Sequence, residues 1–386
     1  SGQLGADAFT SEAMHETMDL CVGCKGCKRD CPTGVDMAKM KIEFLDHYKK
    51  RHGHTLKDKL VAYMPDYAHK ASRMPWLLNL RNSVPGAAWL GEKLLGFSAK
   101  RSLPEWRSDT FWRAKGNEPG LFTDQASVLS VAARGGKAAV LFVDTFNGTF
   151  ESENAFAAAR VLEAAGYVLH TVEKRGGHHC CGRTFLASGM VDEAKVRAAA
   201  LVDALLPLAQ AGIPIVGLEP SCLLTLRDET LVMGFGDKAQ TVAKQALLFE
   251  EFIARELKAG RFELALKPSA TPILLHGHCH QKAFGAVSPI LEVLKLIPGA
   301  DPELIESSCC GMAGSFGYEA SHFDVSMQMA EASLLPAIRA KPDAIVVADG
   351  TSCRHQIGDG AQREAVHVAV LLARHLLPPT QATGRG

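Results

Sequence analysis

The chain has 386 residues, 47% of them hydrophobic, which allows two or three domains with substantial cores. Its 42 lysines and arginines match its 42 aspartates and glutamates, so no global field recruits nucleic acid or acidic lipid. No run approaches the roughly 18 apolar residues of a spanning helix and no signal-peptide pattern opens the chain, so a cytoplasmic protein, with peripheral contact at the inner face of a membrane as its furthest reach, is the expectation.

In chain order, residues 1–55 read as a small helical, ferredoxin-like module. A cysteine run, Cys21, Cys24, Cys27 and Cys31-Pro32, lies between helical patterns over 11–20 and 36–50, the second started by Asp36 ahead of Met37, Met40, Ile42 and Phe44. The chain opens Ser1-Gly2 rather than with methionine, and the natural protein is expected to extend further at that end. Residues 56–135 form a helical or irregular connector rich in proline, tryptophan and basic residues (Pro65, Trp76, Pro85, Trp89, Trp106, Trp112). Ordinary intramolecular packing is expected of it, with a membrane-surface or partner-docking role as the alternative.

From residue 136 the chain reads as duplicated, into units 136–268 and 269–378, with a disordered-type tail at 379–386. The strand-like stretch 138–143 corresponds to 272–275, Cys180-Cys181-Gly182 to Cys309-Cys310-Gly311, and the segment ending at Cys222 to the segment ending at Cys353. Amphipathic stretches at 154–165, 192–208, 239–257 and 327–339 separate them. Short β-branched runs alternating with helices predict an α/β fold: two small units with mostly parallel sheets, related by a pseudo-twofold, with cysteines at strand ends and loop tips.

Cysteines spaced this way in a chain without a secretory signal read as metal ligands rather than disulfides, and adjacent cysteines pair poorly with each other. The C-x2-C-x2-C-x3-C-P run wraps three thiolates around one [4Fe–4S] cluster, while its fourth cysteine serves the other cluster of a two-cluster ferredoxin; a zinc site would show two separated pairs. The chain has no second such run, so Cys21, Cys24 and Cys27 need a fourth ligand from upstream or from another subunit, and Cys31 serves a cluster whose other ligands are missing. In the second repeat Cys279, Cys309, Cys310 and Cys353 are the four thiolates a [4Fe–4S] cluster requires, with Gly311 letting the backbone turn tightly. Zinc on the same four thiolates, or an inert buried thiol pair, are the alternatives. The first repeat is degenerate: it offers Cys180, Cys181 and Cys222, but the position matching Cys279 falls in Asp144-Thr145-Phe146. With His178 or His179 these thiols suit zinc or a cluster with one non-cysteine ligand, or bind nothing.

Histidines gather at the same places: His178, His179, His276, His278 and His280. They read either as solvated or ligand-supporting side chains, or as donors to a bound quinone or carboxylate and proton carriers. Glu219 and Arg354 flank the lone cysteines and carry the same ambiguity. No residue is singled out as catalytic, and no G-x-G-x-x-G after a strand, Walker loop, HExxH or flavin signature occurs.

The doubled-cysteine repeats resemble the cysteine-rich CCG domain shared by the B subunit of heterodisulfide reductase, the iron–sulfur subunit of glycolate oxidase and the C subunit of anaerobic glycerol-3-phosphate dehydrogenase. More closely, the segments at 19–37 and 218–222, His276-Gly277-His278-Cys279-His280-Gln281-Lys282-Ala283 and 309–318 are similar to the C-terminal part of fused FAD-linked, iron–sulfur D-2-hydroxyacid dehydrogenases, acting on D-lactate, glycolate or D-2-hydroxyglutarate. The similarity runs from about residue 11 to about 375. It implies that a second cysteine group and the FAD-binding part lie upstream or on a partner, and that electrons pass from FAD to a quinone or other acceptor. The isolated chain is then expected to be inactive. One departure is that Glu219 and Gly350 replace the first member of the C-x2-C pair that ends each heterodisulfide reductase repeat, which speaks against noncubane clusters. A zinc-binding module that docks the flavin domain, and a reductase acting in its own CCG groove, remain as alternatives.

Overall fold

The computed structural model describes residues 5, 7–174 and 177–378, so the tail expected at 379–386 lies outside the described residues. At the N-terminus, α1 (Glu12–Asp19) is capped by Ser11, which accepts a hydrogen bond from the Met14 amide. A short α2 (Gly26–Asp30) follows the first cysteines, and α3 (Met37–His52) is capped by the Asp36 carboxylate, which accepts from the Ala38 and Lys39 amides. Phe44, Leu45 and Tyr48 form the small core of this module, with His15 stacked on Tyr48.

The connector is mainly helical: α4 (Leu56–Ala62), α5 (Met64–Ala71), α6 (Pro75–Leu78), α7 (Leu80–Ser83) and α8 (Ala87–Leu95). Its two ends serve different repeats. Ala62 of α4 packs with Phe185, Leu186, Met190 and Ala194 of the first repeat. Beyond α8, Phe97 bridges Glu319 of the second repeat, the Ser98 amide donates to the Tyr318 carbonyl at 2.8 Å, and the Ala320 amide donates to Gly96 at 2.9 Å.

Two four-stranded parallel sheets carry the rest. The first contains β1 (Ala138–Phe142), β2 (Val168–His170), β5 (Ile215–Gly217) and β6 (Ala246–Leu248), ordered β2-β1-β5-β6. The second contains β7 (Ile273–Leu275), β8 (Pro302–Leu304), β9 (Ile345–Val347) and β10 (Ala365–Val366), ordered β8-β7-β9-β10. Matching the strands by chain order within each repeat gives the same sequence of neighbours, so the duplication is topological and not confined to cysteine motifs. A two-stranded antiparallel ribbon of β3 (Glu173–Lys174) and β4 (Gly177–His178) leads into the first double cysteine. All five residues of β1 are buried, as expected for a parallel strand covered on both faces.

The repeats share one apolar core. Helices Ser152–Ala164 and Phe249–Lys258 of the first meet Ser288–Leu294 and Val368–His375 of the second, burying Leu162, Phe252, Val293 and Leu372 among others. Polar groups stitch the same interface. Arg354 of the second repeat donates to both carboxylate oxygens of Glu151 of the first, at 2.8 and 2.6 Å, and Thr351 Oγ1 donates to Glu151 at 2.6 Å. The buried Arg354 guanidinium holds the Glu151 carboxyl down to about 2 against the upward push of its burial.

Two amphipathic stretches differ from their expected single helices. The stretch 239–257 divides into Asp237–Gln245, strand β6 and Phe249–Lys258, because the apolar run Ala246-Leu247-Leu248 supplies a sheet edge, and periodicity does not separate a buried strand from buried helix. The stretch 327–339 divides into Phe323–Glu331 and Leu334–Arg339, with Pro336 in the first turn of the second piece, where its missing N–H costs nothing.

Replacing Glu151 with Gln leaves a buried guanidinium without its counter-charge. Urea denaturation of Glu151→Gln is expected to show a loss of about 3–5 kcal/mol relative to the parent chain; a loss below about 1 kcal/mol would remove this pair from the repeat interface's stability.

Candidate metal centre

In the second repeat three loops deliver four thiols to one place. Cys279 is the first residue of helix Cys279–Ala283, capped by the His278 ring, and Cys353 lies in the first turn of helix Thr351–Ala361. Cys309 and Cys310 lie on the loop between them in sequence. Cys310 Sγ is 3.5 Å from Cys353 Sγ, and Cys309 lies close enough to Cys279 to raise the latter's pKa. His276 completes the group: its ligand atom lies within 4.8 Å of those of Cys310 and Cys353. His276 Nδ1 shares a hydrogen bond with Ser307 Oγ at 3.0 Å, while its buried Nε2 has no partner.

The double-cysteine turn needs its glycine. Gly311 has φ +84°, and a Cβ there would come 2.4 Å from the Ser326 carbonyl oxygen. Its amide donates to Cys309 Sγ at 3.3 Å, and Gln356 Nε2 donates to the Cys310 carbonyl at 2.7 Å. The first repeat copies this turn: Gly182 has φ +86°, sits 2.8 Å (as a built Cβ) from the Ala194 carbonyl, and donates to Cys180 Sγ at 3.3 Å.

The N-terminal cysteine run meets the same centre. Cys24 lies against Cys309, and the Gly23 carbonyl pairs with His280 Nε2 at 3.3 Å. The next residue, Lys25, takes a left-handed conformation (φ 59°) and points the other way, into the first repeat. Its buried ammonium lies 2.6 Å from Asp228 and 2.8 Å from Glu229, and Lys28 and Lys39 also pair with Asp228. The other cysteines of the run have local partners: Cys27 Sγ accepts from the Met37 amide at 3.3 Å, the Cys21 carbonyl accepts from Lys41, and the Cys31 thiol is bonded to Thr33 Oγ1.

In the first repeat Cys180, Cys181 and Cys222 are buried and interact in a chain, Cys181 standing between the other two. Cys222 occupies the first turn of helix Pro220–Arg227, as Cys353 does in its helix. The Cys279 position is taken by Thr145, first residue of helix Thr145–Thr149, whose Oγ1 bonds the buried His178 Nε2 at 2.7 Å. His179 is partly exposed.

Glu219 and Arg354 turn out to be fasteners between the repeats. Glu219 Oε1 accepts from the Ser221 amide and hydroxyl of its own helix, and Oε2 accepts from the Thr351 amide across the interface at 2.9 Å. Among the histidines, His178, His276, His278 and His280 are buried, so the solvated reading is corrected for these four. Burial holds all of them below the usual imidazole range, as neutral rings. Cys24's approach to the second repeat, the Lys25 latch and the buried Glu250, whose carboxyl meets Gln281 beside Asp349, escaped sequence reasoning; a lone lysine between cysteines and a helical glutamate carry no local signal for such contacts.

Electrostatically the centre calls for a cation. Hydrogen bonding with Cys309, burial and neighbouring sulfurs push the Cys24 and Cys279 thiols well up. Interaction with Cys309 lowers the Cys310 thiol, but its bond to Cys353 and its burial outweigh this and it also ends well up. Cys222, although it accepts from Cys181, is pushed up to about 12 by burial and by the Asp144 and Glu219 carboxylates. Four thiols in so small a volume ionise together only when a positive charge lies among them.

Two segments, residues 145–227 and 273–358, each match the cysteine-rich (CCG) domain. It is 27% identical over 352 residues to D-2-hydroxyglutarate dehydrogenase of Pantoea ananatis, covering 90% of this chain and 33% of that protein. The C subunit of anaerobic glycerol-3-phosphate dehydrogenase from Escherichia coli is 26% identical over 309 residues, covering 78% of this chain and 72% of the other. Lactate utilization protein A 2 of Bacillus cereus is 24% identical over 249 residues, 61% of this chain and 98% of the other. The chain thus spans about a third of the D-2-hydroxyglutarate dehydrogenases it matches. Its relatives include dehydrogenases and a subunit of one, which sets it in an oxidoreductase context.

Asp144, fully buried at the head of helix Thr145–Thr149, has its carboxyl raised to about 6 by burial and then by Glu219. Its folded value lies above the unfolded one, so its stabilising contribution is complete below about pH 4 and lost as pH rises through about 6. The stability difference between the parent chain and Asp144→Asn is therefore expected to shift against the parent by on the order of 3 kcal/mol between pH 4 and pH 8; a difference independent of pH would refute the assignment.

Proposed function

We propose that this chain is the iron–sulfur electron-transfer portion of a flavin-dependent D-2-hydroxyacid dehydrogenase, relaying electrons from an FAD-binding domain or subunit to a quinone or other acceptor. The observation that carries this reading is the convergence of Cys279, Cys309, Cys310 and Cys353, with Cys24 beside them, in one buried site. The names and coverage of the relatives support the dehydrogenase context and a dehydrogenase partner portion outside this chain.

The residues present fit an iron–sulfur cluster: the donor set is sulfur-rich, burial and neighbouring sulfurs push the Cys279 and Cys310 thiols up so that a cationic group among them would favour their ionisation, and His276 Nε2 is a buried polar atom without a partner. Cys279, Cys309, Cys310 and Cys353 would hold the group, with His276 beside it. When bound, such a cluster supplies one-electron transfer that splits the two-electron flavin couple. The chain's own part is positional. The helix N-termini at Cys279 and Cys353 favour the thiolate form, the Gly311 amide donates toward Cys309, and the neutral rings of His278 and His280 close the site on the side of the N-terminal loop. Cys21, Cys24, Cys27 and Cys31 are proposed as ligands of an adjoining [4Fe–4S] module completed from outside this chain, and Cys180, Cys181 and Cys222 as a lesser metal site suited to zinc.

The test is iron, sulfide and zinc content of anaerobically purified chain beside its visible spectrum, for the parent and for Cys310→Ser with Cys353→Ser. About four irons with matching sulfide and broad absorbance near 400 nm are expected for one cubane, lost in the double variant. Zinc with negligible iron would overturn the electron-transfer reading in favour of a structural module. Turnover of a D-2-hydroxyacid by the chain alone would overturn the assignment of the flavin to a separate part.

A further inference from the structure

The connector carries a surface that the redox reading leaves unused. From α6 to α8 large apolar side chains stand in solvent: Trp76 is 67% exposed, Trp89 59% and Leu94 70%, with Leu78 and Leu90 also exposed. On α8 the exposed positions Trp89, Leu90, Lys93 and Leu94 share one face, while Ala87, Ala88, Gly91, Glu92 and Leu95 turn inward. This outward face is the reverse of a soluble helix, whose apolar stripe belongs inside.

The charges within this segment are mostly of one sign, although Lys100 pairs with Asp324 and the buried Arg101 with Asp359. Between Asp66, which pairs with Arg197, and Glu105 the chain has six cations, Lys70, Arg73, Arg81, Lys93, Lys100 and Arg101, and a single acid, Glu92. That acid is occupied, accepting from the Ala99 amide at 2.7 Å. Lys70, Arg73 and Lys93 are exposed and have no acidic partner among the described residues. No helix of the described chain is long and apolar enough to cross a membrane.

We propose that the α6–α8 segment is a docking surface for an anionic lipid bilayer, lying in its interface with Trp76, Trp89 and Leu94 among the acyl chains and Lys70, Arg73 and Lys93 against the headgroups. Indole rings suit that boundary because they join an apolar body to a polar N–H. Short helices with tryptophan and leucine on one face and cations beside them lie in the interface plane. The neutrality of the whole chain does not oppose this, since the cations are gathered on one segment and the attraction acts within about a Debye length. The position matters for the centre: α8 is fastened through Gly96, Phe97 and Ser98 to residues 318–320, which continue the loop that begins at Cys309-Cys310. The surface therefore brings the second repeat to the lipid, whatever chemistry that repeat performs.

The experiment mixes the full chain with vesicles of phosphatidylglycerol and phosphatidylcholine, or of phosphatidylcholine alone, and measures the pelleted fraction and tryptophan emission. Pelleting with the anionic vesicles, a blue shift of emission and release by salt are expected. Trp76→Ala with Trp89→Ala and Leu94→Ala should lower partitioning at least tenfold, and Lys93→Glu roughly fivefold or more. These positions are exposed, so circular dichroism and iron content should match the parent, which keeps this outcome separate from that of the redox reading. A chain that stays in the supernatant with anionic vesicles, or pelleting that the variants leave unchanged, overturns the proposal; in the first case the surface belongs to a protein partner.

Discussion

Crowding of buried sulfur is the constraint around which this molecule is arranged. Thiols packed at van der Waals distance resist ionisation, each because its neighbours would also be charged, and burial removes the water that would relieve them. A fold that brings Cys279, Cys310 and Cys353 together must therefore hold them firmly in place. The rigidity comes from elements far less conspicuous than the cysteines: a left-handed glycine pressed backbone to backbone against the next helix, and a glutamine that ties the Cys310 carbonyl down.

Duplication supplies the frame. Each repeat places one thiol in the first turn of a helix after its third main strand and two on a tight glycine turn, and the strand order is the same in both. What differs is a single position, a cysteine in one repeat and a threonine bonded to a buried histidine in the other. The first repeat keeps the shape of the site while its fourth position is a neutral hydrogen bond. It gains another duty instead: Glu151, Glu219, Asp228 and Glu229 make it the acidic side against which the second repeat and the N-terminal module are fastened.

Much of this is legible from residue order alone, since the doubled cysteines, their glycines and the apolar strand runs announce the repeat and its α/β character. The strand at Ala246–Leu248 is not legible, because three apolar residues between two helical stretches look the same on a helix as at a sheet edge. The acidic and basic residues beside the cysteines are ambiguous for a different reason. A buried Glu219 or Arg354 needs a partner, and whether that partner is a metal, a ligand or an amide 132 residues away is a question of tertiary distance. Likewise the spacing of the N-terminal cysteine run carries no information on where it sits, and its place against the second repeat emerges only from the fold.

Consecutive residues Cys24 and Lys25 belong to different halves of the molecule, one against the second repeat's sulfur and the other locked into the first repeat's carboxylates. The peptide between them is accordingly a strain gauge. Any shear of one repeat past the other must stretch or twist a backbone already held in the left-handed region, and so register directly at the thiol beside Cys309. Mechanical displacement at the repeat interface and the local environment of that sulfur are thereby one variable, read out over a single residue.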